Sequence, residues 1–257
     1  MVSKVKQKTI YANPLMALAK DDAGVPDSAK YHVFGKCRIC KTDSRGFATP
    51  NNINPARLVL DASEGFIPLW AKGTELRWRF QPRALSRFAN PGAVIQAVEQ
   101  VMGKALIAWG DAVPVKFVKN TDLWDFEIVV NSFDDCNNSG CVLASAFFPD
   151  GGRHELEIFP KMFEQSPLEQ VETMAHELGH VFGLRHFFAK LSEANFPSEL
   201  FGKHKAFSIM NYGDKSKLTV DDRKDLKKLY KHVWSGELTN INGTKIRLVK
   251  PFHTVAQ

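Results

Sequence analysis

Four residues in one short stretch have the types and spacing of a metal-dependent hydrolytic centre. They are His176, Glu177, His180 and His186, in the run His176-Glu-Leu-Gly-His180-Val-Phe-Gly183-Leu-Arg-His186. On a helix, His176 and His180 stand one turn apart, so both imidazoles project from the same face toward one point. Two imidazoles do not close a metal site. Gly183 is able to take a positive φ, which ends the helix and folds the chain back. His186 then meets the other two from outside the helix. Three neutral nitrogens leave the fourth tetrahedral position to water, the arrangement of a catalytic rather than a structural zinc. Glu177, beside the first ligand, is placed to take a proton from that water. The bland alternative is a surface helix that happens to carry histidines. The glycine and third histidine at fixed spacing argue against it.

Pro167 opens the helix that carries His176 and His180, with Val171, Met174 and Ala175 on its buried side. Upstream, Glu75-Leu-Arg-Trp-Arg-Phe80 alternates polar and apolar residues as a half-buried strand does. After Pro91-Gly92 the period becomes helical. Val94, Val98, Val101, Met102, Ala105 and Trp109 form one apolar stripe suited to covering a sheet. Residues 113–118, 126–130, 142–148 and 155–159 read as further strands. Residues 187–207 are too long for a mere link and are expected to wall part of a cleft. Thr219-Val-Asp-Asp222 has the form of a capping box. A final helix follows to about Lys231, with Leu226, Leu229 and Tyr230 inward. These elements predict an α+β fold: a twisted mixed five-stranded sheet, two long helices and a C-terminal helix. Residues 1–57 are polar and broken by turn clusters. The expected division is a leader or propeptide-like segment over 1–66, the metal-bearing domain over 67–232, and a tail over 233–257 that reads as a turn and a strand.

The chain has 257 residues, 44% hydrophobic and 24% charged, as ordinary globular proteins are. No apolar run reaches the roughly 18 residues that cross a bilayer. The N-terminus begins basic but lacks a continuous apolar core, so no signal peptide is visible. The net charge of +6 is unevenly spread. Residues 1–48 carry 9 Lys and Arg against 4 Asp and Glu, and residues 215–257 carry 10 against 4. The middle, with the candidate chemistry, holds 15 against 20. Positive charge at both ends, without a basic-aromatic motif, reads as solvated tails, and no nucleic-acid partner is expected. Of the four cysteines, Cys136 and Cys141 flank a loop that a local disulfide would pin. A structural zinc shared with Cys37 and Cys40, or free thiols, are the alternatives. Sequons at Asn137 and Asn242 are compatible with secretion.

Several segments, from about residue 70 to residue 230, resemble the metzincin zinc endopeptidases, and among them the matrixins. Trp70-Ala-Lys-Gly-Thr-Glu-Leu-Arg-Trp-Arg-Phe80 is similar to the matrixin first strand, and Leu143-Ala-Ser-Ala-Phe-Phe-Pro149 to the edge strand along which substrate aligns. Ser208-Ile-Met-Asn-Tyr-Gly213 matches the Met-turn, and Leu218-Thr-Val-Asp-Asp222 opens a segment like their C-terminal helix. The resemblance implies a metzincin catalytic domain that cleaves internal peptide bonds of proteins with one catalytic zinc. It makes His176, His180 and His186 the metal ligands, Glu177 the general base, and Met210 an apolar base beneath them. Substrate would lie antiparallel along Leu143, Ala144, Ser145 and Ala146. Gly213 stands where matrixins have proline, a form closer to astacins and serralysins. Tyr212 is therefore a candidate zinc ligand or oxyanion donor, or simply a pocket wall.

Ser145 stands where matrixins place a histidine for a second zinc, so neither a structural zinc nor calcium is expected. Ala23-Gly-Val-Pro-Asp27 resembles the matrixin latency sequence with its cysteine replaced by Ala23. Cys37 or Cys40 is a candidate substitute, because a thiolate ligates zinc in place of water. A monomer is expected, and the family resemblance implies an extracellular setting; the missing signal peptide keeps an intracellular one open. The competing function is a catalytically silent metzincin fold that captures peptides or a partner.

Overall fold

The computed structural model describes residues 38–39, 58–62, 65–137, 140–185, 198–201, 208–210 and 217–255. The centre is a five-stranded sheet formed by β1 (Glu75–Phe80), β2 (Lys116–Lys119), β3 (Phe126–Val130), β4 (Ala144–Ser145) and β5 (His154–Ile158). Its order is β2-β1-β3-β5-β4. Strands β2, β1, β3 and β5 are parallel, and β4 runs antiparallel to β5 at the edge. In β1 the alternation read from sequence is realised, with Leu76, Trp78 and Phe80 buried. All five residues of β3 are buried, as a central strand of a covered parallel sheet requires.

Two long helices pack on each other and on this sheet. In α1 (Pro91–Trp109) the buried residues are Val94, Val98, Val101, Met102, Ala105 and Trp109, the stripe legible in the sequence. Asn90 caps its N-terminus through the Ala93 N–H. In α2 (Pro167–Val181) Ser166 and Glu169 form a reciprocal capping box ahead of the histidines. Every residue from Thr173 to Val181 is buried, so the histidine-bearing half runs through the interior. The C-terminal helix α3 (Val220–Trp234) starts at the Thr219–Asp222 capping box and buries Leu226, Leu229 and Tyr230. It runs one turn beyond the expected end. Among the described residues, no helix is long and apolar enough to cross a membrane.

Three parts differ from the sequence reading. Leu58–Asp61, assigned to the leader, is the middle strand of a small sheet between Leu184–Arg185 and Ser198–Phe201. Leu60 is fully buried in the core, so the boundary at 66 does not mark the edge of packed structure. Four residues carry too little periodicity to reveal a strand. Its partner after α2 leaves backbone groups that must be paired, and this segment pairs them. The tail also packs back. Thr244–Val249 pairs in parallel with the buried strand Ile67–Trp70, and the His253 ring donates to Asp125. Finally, the strand expected over 142–148 is divided. Gly140–Val142 pairs with Asp135–Asn137 across the Cys136–Cys141 disulfide, and only Ala144–Ser145 joins the main sheet.

Candidate metal centre

The end of α2 is held by polar tips of buried aromatics. A helix leaves its last carbonyls without intrahelical donors. Here the Trp70 indole N–H donates to Val181 O at 2.7 Å, and the Tyr230 hydroxyl to Phe182 O at 3.0 Å. Nearly two turns earlier Trp109 Nε1 donates to Ala175 O at 2.9 Å. Burial pushes the Tyr230 phenol well above its ordinary pKa, which keeps it a neutral donor. Gly183 follows with φ 91°. A Cβ there would meet Leu69 Cδ2 at 3.0 Å and Pro68 O at 3.2 Å. Glycine is thus required both for the turn and for the close approach of the strand Ile67–Trp70.

His176 and His180 converge on one point. His176 Nδ1 lies 2.7 Å from Ile209 O, and His180 Nδ1 lies 2.7 Å from Leu184 O. A carbonyl only accepts, so each Nδ1 carries the proton and each Nε2 presents a lone pair. The two Nε2 atoms are 3.2 Å apart. Two lone pairs at that distance repel unless a cation lies between them or one ring gains a proton. Around a tetrahedral zinc with Zn–N bonds of about 2.0–2.1 Å, ligand nitrogens stand about 3.3 Å apart. The pair therefore fits a zinc ion, with both rings oriented by carbonyls in the manner of metal-bound imidazoles. Glu177, next to His176, is buried at 2% exposure. Among the described residues, no group of three or more His, Cys, Asp or Glu gathers at metal-holding distance. His186, the expected third donor, and Tyr212 lie outside them.

Met210 is buried directly against α2, where its sulfur and methyl line the space beside Gly179. Its segment is tied to α3. Ser208 Oγ donates to Asp222 Oδ1 at 2.6 Å, the Met210 N–H donates to Ser208 Oγ, and the Ile209 N–H approaches Asp222 Oδ2 at 3.4 Å. Sequence reasoning found Asp222 as a helix cap and missed its second hold on the residues beneath the histidines. Gly179 was missed too, although an interior helix glycine beside two candidate ligands was a signal for close packing.

The expected substrate strand is at the sheet edge. Ala144 and Ser145 face Ile158 and Glu157 of β5, and Leu143 O accepts from Phe159 N at 3.0 Å. Ala146 is partly buried against the core just beyond. Ser145 Oγ donates to Glu157 Oε2 at 3.1 Å. Three residues past the end of β4, Phe148 meets His180 edge-on at 5.5 Å, which links the edge to the histidines. Upstream of β4, Arg38–Ile39 pairs in parallel with Cys141–Val142. Cys37 and Cys40 lie outside the described residues.

The mixed five-stranded sheet, the two long helices and the convergent imidazoles are consistent with a matrixin catalytic domain. The sequence matches the matrixin peptidase family over residues 69–231, and the chain belongs to that family; it is a metallopeptidase in kind. A search of curated proteins finds no match. Among solved structures, the chain is similar to one titled "Structure of myroilysin", at 13% identity and TM-score 0.42, covering 67% of this chain and 98% of that one.

Proposed function

We propose that the chain is a zinc-dependent endopeptidase that hydrolyses internal bonds of proteins and peptides. The observation that carries this reading is the pair of carbonyl-oriented imidazoles, whose Nε2 atoms stand 3.2 Å apart beside buried Glu177. His176, His180 and His186 would hold the ion. Zinc bound there supplies a Lewis acid that lowers the pKa of water toward about 7.

The chain's own residues do the remainder. Glu177 takes the proton from the attacking water and returns it to the leaving amine nitrogen. Its burial keeps the carboxylate away from competing solvent. Leu143, Ala144, Ser145 and Ala146 receive the substrate backbone as an added antiparallel strand, so main-chain hydrogen bonds hold it largely regardless of sequence. A chain held along its length by its backbone is cut internally rather than at an end. Tyr212 is assigned the oxyanion side or the pocket wall, and Met210 the apolar floor.

The test compares wild type with Glu177→Ala on casein. The variant should lose ~10²–10⁴ in rate and retain zinc by elemental analysis. Undiminished proteolysis in that variant would falsify the assignment. Mapping products from an end-blocked peptide separates internal cleavage from trimming of termini.

A further inference from the structure

We propose that Gly179 is a positioning residue of the metal centre: its missing side chain sets the spacing between the histidine helix and the Met210 segment that orients His176. The inference rests on the zinc reading above and adds a residue to it.

Gly179 sits inside α2, one residue before His180 and three after His176. Glycine is the least favourable ordinary residue at such a position, so local propensity argues for alanine. Packing opposes it. A Cβ on Gly179 would stand 2.5 Å from Met210 Sδ, 3.3 Å from Met210 Cε and 3.6 Å from Trp109 Cζ2. Ordinary carbon–sulfur contact needs at least about an ångström more, because dispersion attraction turns to repulsion inside the optimum separation of about 3.5–4.0 Å.

Both neighbours are enclosed by protein. Met210 is 1% exposed and Trp109 is fully buried. Trp109 is also fixed by its hydrogen bond to Ala175 O and by edge-on contact with Phe182. Close-packed interiors transmit such a push rather than absorb it. It would pass along the backbone to Ile209, whose carbonyl accepts from His176 Nδ1. Asp222 and Ser208 hold that segment against α3, so it cannot follow the helix outward without breaking those bonds. The glycine thereby couples helix packing to the orientation of a ligand imidazole.

The test is a double-mutant cycle in the full chain: Gly179→Ala, Met210→Ala and both together. In metal-free protein, Gly179→Ala should lower Tm in the wild-type background and raise it in the Met210→Ala background. There the methyl enters vacated space and the helix gains propensity. Zinc affinity, read by competition with a chromogenic chelator, should fall ~10–100-fold in Gly179→Ala and recover toward the Met210→Ala value in the double variant. Val98→Ala in α1, a destabilised control, should bind zinc as wild type does. The same change in Tm in both backgrounds, or zinc affinity unaltered by Gly179→Ala, overturns the proposal. If Gly179→Ala alone does not fold, the comparison of Met210→Ala with the double variant still decides it: a lower Tm in the double variant overturns it. If wild type binds no zinc, the functional reading fails, while the reversal of sign in metal-free protein is still scored.

Discussion

Ser208 and Asp222 join two parts of the molecule that are 14 residues apart: the hydroxyl donates to the carboxylate at 2.6 Å, both residues being buried. The same carboxylate accepts the N–H and hydroxyl of Thr219 at the start of α3. One side chain therefore caps a helix and holds the segment whose Ile209 carbonyl orients His176. Asp222→Ala should cost about 2–4 kcal/mol, from the lost cap and the buried donors left without an acceptor. Urea unfolding with an unchanged m-value checks the cost. Zinc affinity should fall alongside it, since Ile209 is no longer held.

Two described parts of the N-terminal segment, Arg38–Ile39 and Leu58–Asp61, pair with different strands of the domain. Leu58–Asp61 pairs with Leu184–Arg185, the chain directly after the Gly183 turn, and His180 Nδ1 donates to Leu184 O. A chain lacking residues 1–56 keeps this strand, and should bind zinc and melt close to the full chain. A chain lacking residues 1–66 loses the burial of Leu60, about 1.5–3 kcal/mol, together with the strand's hydrogen bonds. It should be less stable and bind zinc more weakly. The shorter deletion also removes Arg38–Ile39 from Cys141–Val142, so KM for an extended peptide should fall. Equal behaviour of the two truncations would show that the strand has no such role.

His253 fastens the C-terminal segment to the sheet. Asp125, 2% exposed, accepts the His253 ring and N–H as well as the Arg77 N–H. His253→Ala leaves two backbone donors on the carboxylate and removes its only side-chain partner among the described residues. A loss of about 1–3 kcal/mol follows, measured by thermal unfolding. Earlier exposure of the 244–255 amides in hydrogen exchange should accompany it.

Tyr230 contributes one oxygen to two contacts, donating to Phe182 O and accepting from Trp70 N at 3.4 Å. Tyr230→Phe preserves the ring and should cost about 1–3 kcal/mol, because the buried carbonyl loses its donor. The alkaline limb gives a second check. Burial raises the folded-state phenol pKa above the unfolded value of about 10. The unfolded chain thus releases its proton first, and the stability this group contributes is present below pH 10 and lost as pH rises beyond it. Wild type should lose stability above pH 10 more steeply than Tyr230→Phe does.

Much of this was legible because it depends on local pattern. The stripe from Val94 to Trp109 is one face of a helix, and helical period alone assigns it to the core. Thr219 and Asp222 announce the start of α3 three residues apart, because a capping box is completed within one turn. Leu58–Asp61 was not legible. A four-residue strand is specified by its partners, which lie more than a hundred residues away in Leu184–Arg185 and Ser198–Phe201. The docking of Thr244–Val249 on Ile67–Trp70 was hidden for the same reason.

At the centre, the sequence alone determined which side chains stand together on α2, since the spacing of His176, Glu177 and His180 is converted to geometry by the helix itself. It also placed the turn at Gly183, where a positive φ favours one residue type. Only the tertiary structure decided how those side chains are oriented. The carbonyls of Ile209 and Leu184 select the imidazole tautomers, Asp222 holds Ile209, and Met210 against Gly179 sets how close the two layers come. These are contacts between segments that meet only when the core closes, and no local rule of sequence encodes their distances.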